Sequence, residues 1–241
     1  MQRIVERASK LGISVSEKQA GALMRYCEML YEANQTLNLT RIPDDPDWVI
    51  DRHILDSLTI LKCGWPENDG AMIDIGSGAG LPGIPLAVLR PNLEFVLLDA
   101  QAKRVAFLQR VIDELHLNGK AVHARAEDAA RMGEYREAFD IAVSRAVAGL
   151  PVLAEYMLPF VKPGGRMMAM KGPDPEDEVE YAGYAVRELG GGEVRRMEAK
   201  IPGRDWRHTV IVIDKRIHTA ERYPRRAGIP EKRPLKGDLS K

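Results

Sequence analysis

The sequence predicts an α/β fold: a doubly wound, mostly parallel sheet of seven strands preceded by an N-terminal helical extension. Three observations carry that prediction. From Ala71 onward, short apolar runs alternate with helix-like segments, which implies parallel strands joined by right-handed crossovers. The first of these runs, Ala71-Met72-Ile73, feeds a glycine-rich turn, Asp74-Ile75-Gly76-Ser77-Gly78-Ala79-Gly80. After Gly190-Gly191-Gly192, the stretches 194–198 and 209–213 alternate across a loop, as a closing antiparallel pair would.

Taken in order, Ser14-x-x-Glu17 reads as a capping box. Ala20, Leu23, Met24, Cys27, Leu30 and Tyr31 then recur at helical spacing and predict one buried face. Asn38-Leu39-Thr40 with Pro43 and Pro46 breaks this pattern, and Ile50 to Leu61 resumes it. Strands are expected near 71–75, 94–99, 120–124, 139–143 and 166–170, with helices near 83–90, 102–116, 127–132, 149–160 and 176–189. The chain divides into a helical extension over 1–66, a sheet domain over 67–216 and a basic tail over 217–241, forming one catalytic unit.

A chain of 241 residues buries one sizeable core. Lys plus Arg and Asp plus Glu each total 35, so no overall field draws nucleic acid and a basic footprint has to be local. The run from Lys215 to Lys241 supplies one, with nine cations against Glu221, Glu231 and Asp238; it reads equally as a solvated tail and as a nucleic-acid contact. Cys27 and Cys63 lack metal-ligand spacing and are expected to be reduced thiols, and no metal is expected. No signal peptide or membrane span is visible, so a cytoplasmic protein with no membrane partner is expected, with a monomer as the default.

The glycine turn fits two registers. Gly78-Ala79-Gly80-Leu81-Pro82-Gly83 satisfies the dinucleotide pattern G-x-G-x-x-G, whereas Asp74-x-Gly76-x-Gly78-x-Gly80 satisfies the acidic turn of S-adenosylmethionine methyltransferases. Asp74 favours the second, because a carboxylate there can accept from a cationic amino-acid group but repels a pyrophosphate. Asp99 closes the next run, Phe95-Val96-Leu97-Leu98, where it can hold both hydroxyls of a ribose. Seven strands ending in an antiparallel pair then fit the class I methyltransferase variant of the doubly wound sheet.

Further candidates sit at the same sheet edge. Glu127, after the third strand, reads either as an adenine contact or as an acid favoured in a first helical turn. Arg145, in Ser144-Arg145-Ala146, must find an anion: a cofactor carboxylate, an RNA phosphate or a structural partner. Arg52 and His53 could face a base or phosphate, and Lys103, Arg104, Lys171, Arg204, Arg207 and His208 could give that face a positive rim.

The strings Arg52-His53-Ile54-Leu55-Asp56-Ser57, Asp74 through Pro85, Leu97-Leu98-Asp99 with Lys103-Arg104-Val105, Ser144-Arg145-Ala146 and Lys171-Gly172 resemble the bacterial 16S ribosomal RNA guanine-N7 methyltransferase family, RsmG or glucose-inhibited division protein B. The closing Tyr223-Pro224-Arg225-Arg226 with Gly228-Ile229-Pro230 is similar too, and adds Arg225 and Arg226 to the RNA-binding candidates. The resemblance implies S-adenosyl-L-methionine as cofactor, contacted by Gly76, Leu81, Ala126-Glu127 and Arg145, and a guanine in the decoding-region loop of 16S ribosomal RNA, free or in the small subunit, as substrate. Ala100-Gln101 departs from the small polar residue that members often carry after the acid, which bears on the adenine side. Guanine N7 already carries an in-plane lone pair, so no catalytic acid or base is expected. Positioning alone can lower such a barrier by roughly 7–11 kcal/mol. Competing readings are a small-molecule or protein methyltransferase, a nicotinamide-dependent oxidoreductase and a non-catalytic nucleotide-binding module.

Overall fold

A computed structural model describes residues 1–43, 45–65, 70–145, 147–173 and 176–237. The boundary expected at 66/67, Ala146, Asp238 and Lys241 lie outside the described residues. Helix α1 (Gln2–Lys10) and helix α2 (Glu17–Leu37) open the chain. The cap of α2 is Ser16, not Ser14: Ser16 Oγ accepts from Gln19 N at 3.3 Å, and Gln19 Oε1 accepts from Ser16 N at 2.9 Å. Glutamine closes this box as well as glutamate does, with the buried Val15 just before the cap. Tyr31 points off the buried stripe, which is completed by the fully buried Tyr26.

The expected break at Pro46 is instead a helix start, since proline's fixed φ suits a first helical position. Helix α3 (Pro46–Val49) runs into a π-helical turn (Ile50–Leu55), helix α4 (Asp56–Leu58) and a 3₁₀ turn (Thr59–Lys62).

The seven strands are β1 (Ala71–Ile75), β2 (Glu94–Asp99), β3 (Gly119–His123), β4 (Phe139–Arg145), β5 (Val161–Lys171), β6 (Gly191–Lys200) and β7 (Arg207–Lys215). Their spatial order is β3-β2-β1-β4-β5-β7-β6, with β7 antiparallel to both of its neighbours. Strand β5 begins five residues earlier than expected. Val161 already pairs with Phe139, ahead of Pro163-Gly164-Gly165. Helices α5 (Gly83–Leu89), α6 (Ala102–Glu114), α7 (Ala126–Ala129), α8 (Leu150–Met157) and α9 (Glu176–Glu188) cover the faces, and α10 (Ile229–Lys232) lies in the tail.

The period-two alternation of the strands sorts their side chains onto two cores. Met72, Phe95, Leu97, Ile141, Val143, Met168 and Val212 join one that includes Leu23, Tyr26 and Leu30 of α2. Ile73, Val96, Leu98, Ala142, Met167 and Ile213 join the other, under α8 and α9. The helical extension therefore shares its core with the sheet. The strand order reverses between β1 and β4, and ligands bind outside the carboxyl ends of the strands at such a switch.

The basic tail is docked on the sheet domain. Arg136 donates to Thr219 O at 2.8 Å and Tyr223 O at 2.9 Å, and the fully buried Lys215 Nζ, at the end of β7, donates to Leu158 O at 2.8 Å and to Thr219 Oγ1. Burial lowers that ammonium to about 8, against the pull of Glu137.

Candidate functional site

The turn after β1 forms one wall of a cavity of about 430 Å³, within the roughly 300–1,000 Å³ usual for small ligands. Gly76 and Gly78 have φ of +69° and +57°, and glycine adopts that region without penalty. A Cβ on Gly76 would stand 2.7 Å from Val147 Cγ2; one on Gly78 would meet nothing closer than Gly76 O at 3.8 Å, so Gly78 leaves its side open to the cavity. Tyr26 Oη donates to Ala79 O at 2.8 Å, so α2 braces the loop from behind. Leu39 and Thr40, also from the extension, close the cavity, joined by Leu81, Ala100, Gln101, Arg104 and Arg145.

Asp99 lines this cavity. Its Oδ2 accepts from Gly78 N and its Oδ1 from Gln101 N, both at 2.9 Å, and Arg104 Nη1 lies 3.7 Å away. Each carboxylate oxygen retains acceptor capacity toward a ligand hydroxyl. Arg104 thereby belongs to this cavity rather than to an outer rim, while Lys103 is exposed.

Asp74 is placed differently from the expectation. It is fully buried beneath the turn and does not line the cavity; Oδ2 accepts from Gly83 N at 2.9 Å, and among the described residues Oδ1 has no partner. Burial pushes this carboxyl up to about 7, opposed by the Gly83 amide and Arg145. Such an orphaned acceptor under a glycine loop fits a ligand with a cationic head better than one with a pyrophosphate. Glu127 sits in the first turn of α7, where Oε1 accepts from Gly228 N of the tail at 2.8 Å, and Ala126 packs against the core. The acid at the helix start is used to dock the C-terminal segment.

A second cavity, of about 800 Å³, adjoins the first and shares Thr40 and Arg145 with it. Arg145 Nη1 donates to Arg52 O at 3.1 Å and approaches Asp56 Oδ2 at 3.4 Å, which fixes the guanidinium at the common wall. Asp56, almost fully buried, also accepts from His208 Nδ1, while Arg52 meets His208 Nε2. A guanidinium can only donate, so this arrangement puts the imidazole proton on Nδ1. Trp48 and Trp206 lie edge to face with centroids 5.9 Å apart, and Arg52 covers Trp206 at 5.5 Å. Neither tryptophan was singled out by the sequence. Trp206 carried a usable signal, an aromatic between Arg204 and Arg207 in a polar loop.

The remaining candidates separate by partner. His53 is buried and its Nε2 faces Arg41 O at 3.1 Å. Burial, with Arg145 nearby, lowers it to about 4, so it lines the second cavity as a neutral imidazole. Arg204 is committed to the fully buried Asp51 at 2.7 Å, which also holds Arg7 at 2.6 Å. Lys171 donates to Ala148 O at 2.8 Å and pairs with Glu178 at 2.7 Å while lining the second cavity. Arg225 pairs with the fully buried Glu155 at 2.6 Å and is structural. Arg207 and Arg41 are exposed at the mouth of the second cavity, and Arg226 is exposed on the tail. Arg41, absent from the sequence candidates, lies in a loop with no periodic pattern to mark it.

The family described as rRNA small subunit methyltransferase G matches residues 19–202. A protein of that name from Alkaliphilus oremlandii is 44% identical over 232 residues, covering 96% of this chain and 97% of its own. Its namesake from Acetivibrio thermocellus is 45% identical over 233 residues, covering 96% and 95%. Among solved structures, Aeropyrum pernix fibrillarin with natively bound S-adenosyl-L-methionine superposes with a TM-score of 0.50 at 14% identity, covering 65% of this chain and 73% of that one. A predicted O-methyltransferase from Agrobacterium tumefaciens gives 0.50 at 19%, covering 68% and 79%. These two likenesses show the class I methyltransferase fold.

Proposed function

Because this chain belongs to the rRNA small subunit methyltransferase G family, we propose that it transfers the methyl group of S-adenosyl-L-methionine to N7 of a guanine in 16S ribosomal RNA. The donor takes the glycine-loop cavity and the base takes the adjoining one. The observation that supports this reading is the common wall: Arg145 and Thr40 line both cavities, so two ligands seated there lie side by side across these two side chains.

The donor, when bound, supplies an electrophilic methyl on a sulfonium. Asp99 offers acceptors for its ribose, the open side of Gly78 lets it approach the main chain, and the buried Asp74 holds the turn in shape through Gly83 N. Arg145 stands at the boundary between the two cavities. No residue has to take a proton, since N7 attacks with a lone pair and the product carries the positive charge on the base. Asp56, held at the same wall, is placed to favour that charge. Trp48 and Trp206 supply stacking surface for a base drawn out of a single-stranded loop, and Arg41 and Arg207 supply phosphate contacts at the mouth.

On this reading the target lies in the decoding-region loop, as the resemblance of the sequence implies, and the protein works as a monomer in the cytoplasm, where ribosomal subunits are. Among the described residues no helix is long and apolar enough to cross a membrane. The test is transfer of labelled methyl from S-adenosylmethionine to unmodified small subunits and to protein-free RNA, with the base mapped by strand scission at N7-methylguanine. Scission at one guanine is expected. Transfer to neither substrate despite donor binding would overturn the RNA reading in favour of a small-molecule or protein acceptor.

A further inference from the structure

A third concavity, of about 550 Å³, lies on the helical extension and shares no lining residue with the two described above. Its floor is apolar: Met24 and Cys27 of α2 face Ile42, Pro43 and Val49 across it. Tyr31, 55% exposed, stands on its wall. The charges lining it are all negative, Glu28, Glu32 and Asp45, with no lysine, arginine or histidine among the lining residues. Glu28 is paired with Arg25 at 3.3 Å and Asp45 approaches Arg204 at 3.9 Å, both as exposed pairs that an incoming cation can replace at little cost. Glu32 has no cation within ion-pair distance among the described residues.

Residues 40–43 and 45–50 run between this groove and the second cavity. Ile42, Pro43, Val49 and Ile50 turn to the groove, while Thr40, Arg41 and Trp48 turn to the cavity. The two faces differ in sign. The cavity mouth carries Arg41 and Arg207, which suit phosphate, whereas the acidic rim of the groove repels it. An apolar floor within an acidic rim selects a segment that brings both apolar anchors and cations.

We propose that this groove docks a basic, apolar-anchored segment of a protein bound to the substrate RNA, placing the enzyme against an RNA–protein particle rather than against RNA alone. This rests on the reading of small-subunit RNA as substrate. Proteins that coat RNA carry lysine and arginine to neutralise phosphates, which is the chemistry this rim complements. The groove and the base cavity share one segment, so both contacts can form on one face of such a particle.

The experiment measures binding of the full chain to intact small ribosomal subunits and to protein-free small-subunit RNA, for the wild type, Tyr31→Ala and Glu28→Gln/Glu32→Gln. Both variants alter exposed side chains outside the donor cavity. Each is expected to weaken binding to subunits by about tenfold, while affinity for protein-free RNA and for the donor stays unchanged. Unchanged binding to subunits overturns the proposal. So does an equal loss on both substrates, which would put RNA in the groove, and so does a change confined to self-association in sedimentation, which would put a second copy there. If the wild type neither binds nor methylates either substrate, the substrate reading itself fails and this proposal with it, a result distinct from any difference between variants.

Discussion

Asp56 and His208, 152 positions apart, are joined by a hydrogen bond from the imidazole Nδ1 to the carboxylate. The bond links the helical segment after the π turn to the start of β7. Asp56 also faces Arg145 at 3.4 Å, so one buried carboxylate orients two side chains that line the second cavity. The Asp56→Asn variant keeps an acceptor for His208 but removes the charge opposite Arg145. We expect methyl transfer to fall by about tenfold to a hundredfold, corresponding to roughly 1.5–3 kcal/mol for a hydrogen bond to a charged group. Donor affinity, measured by calorimetry, should stay within a factor of two or so. A parallel loss of donor affinity would assign Asp56 to the first cavity instead.

Asp99 holds Gly78 N and Gln101 N and leaves acceptor capacity toward the cavity. The Asp99→Ala variant should weaken S-adenosylmethionine binding by roughly 1.5–3 kcal/mol. Calorimetry is the direct check, and unchanged affinity would show that the carboxylate is not a ribose ligand.

His53 gives acid sensitivity. Its folded value is about 4, below the ordinary imidazole value of 6.5, so the unfolded chain takes up a proton first as pH falls. The stability contribution is complete above pH 6.5 and is lost as pH drops toward 4, to the extent of about 3 kcal/mol. Urea midpoints between pH 7 and pH 4.5 should therefore decline less steeply in His53→Gln than in the wild type. Parallel curves would show that another group controls this window.

Glu155 is fully buried and its charge is met by Arg225 through two guanidinium nitrogens, at 2.6 and 2.9 Å. Truncating Arg225 to alanine leaves that carboxylate without its partner, at a cost of about 3–5 kcal/mol. Chemical denaturation should show this loss, together with faster proteolysis of the tail. A surface tail would show neither.

Arg41 and Arg207 are the exposed cations at the mouth of the second cavity. Replacing each with alanine should lower RNA affinity and reduce the slope of log K against log salt by about one. Donor affinity should not move. Lys171→Ala is expected to act through stability instead, because Lys171 is already held by Glu178 and Ala148 O.

Backbone periodicity and local turn chemistry were legible in the chain itself. The alternation after Ala71, the three spaced glycines and the carboxylates at the ends of the first two strands require only short-range rules, and they place β1 and β2 to the residue and the antiparallel closing pair. Family strings such as Arg52 through Ser57 marked which loops matter. Partners of charged side chains were not legible, because an ion pair depends on three-dimensional distance and burial rather than on spacing. Arg225 and Arg204 read like any other basic residue until folding sets Glu155 and Asp51 beside them in places without water. Glu127 read either as an adenine contact or as an acid favoured at a helix start, and its bond to Gly228 N in the tail could not be read from spacing. Asp74 and His53 were visible as residue types, but their protonation follows from desolvation, which only the assembled core imposes. The sequence alone determined the scaffold and the loops that carry chemistry; the tertiary structure decided which charges face ligands and which are spent holding the protein together.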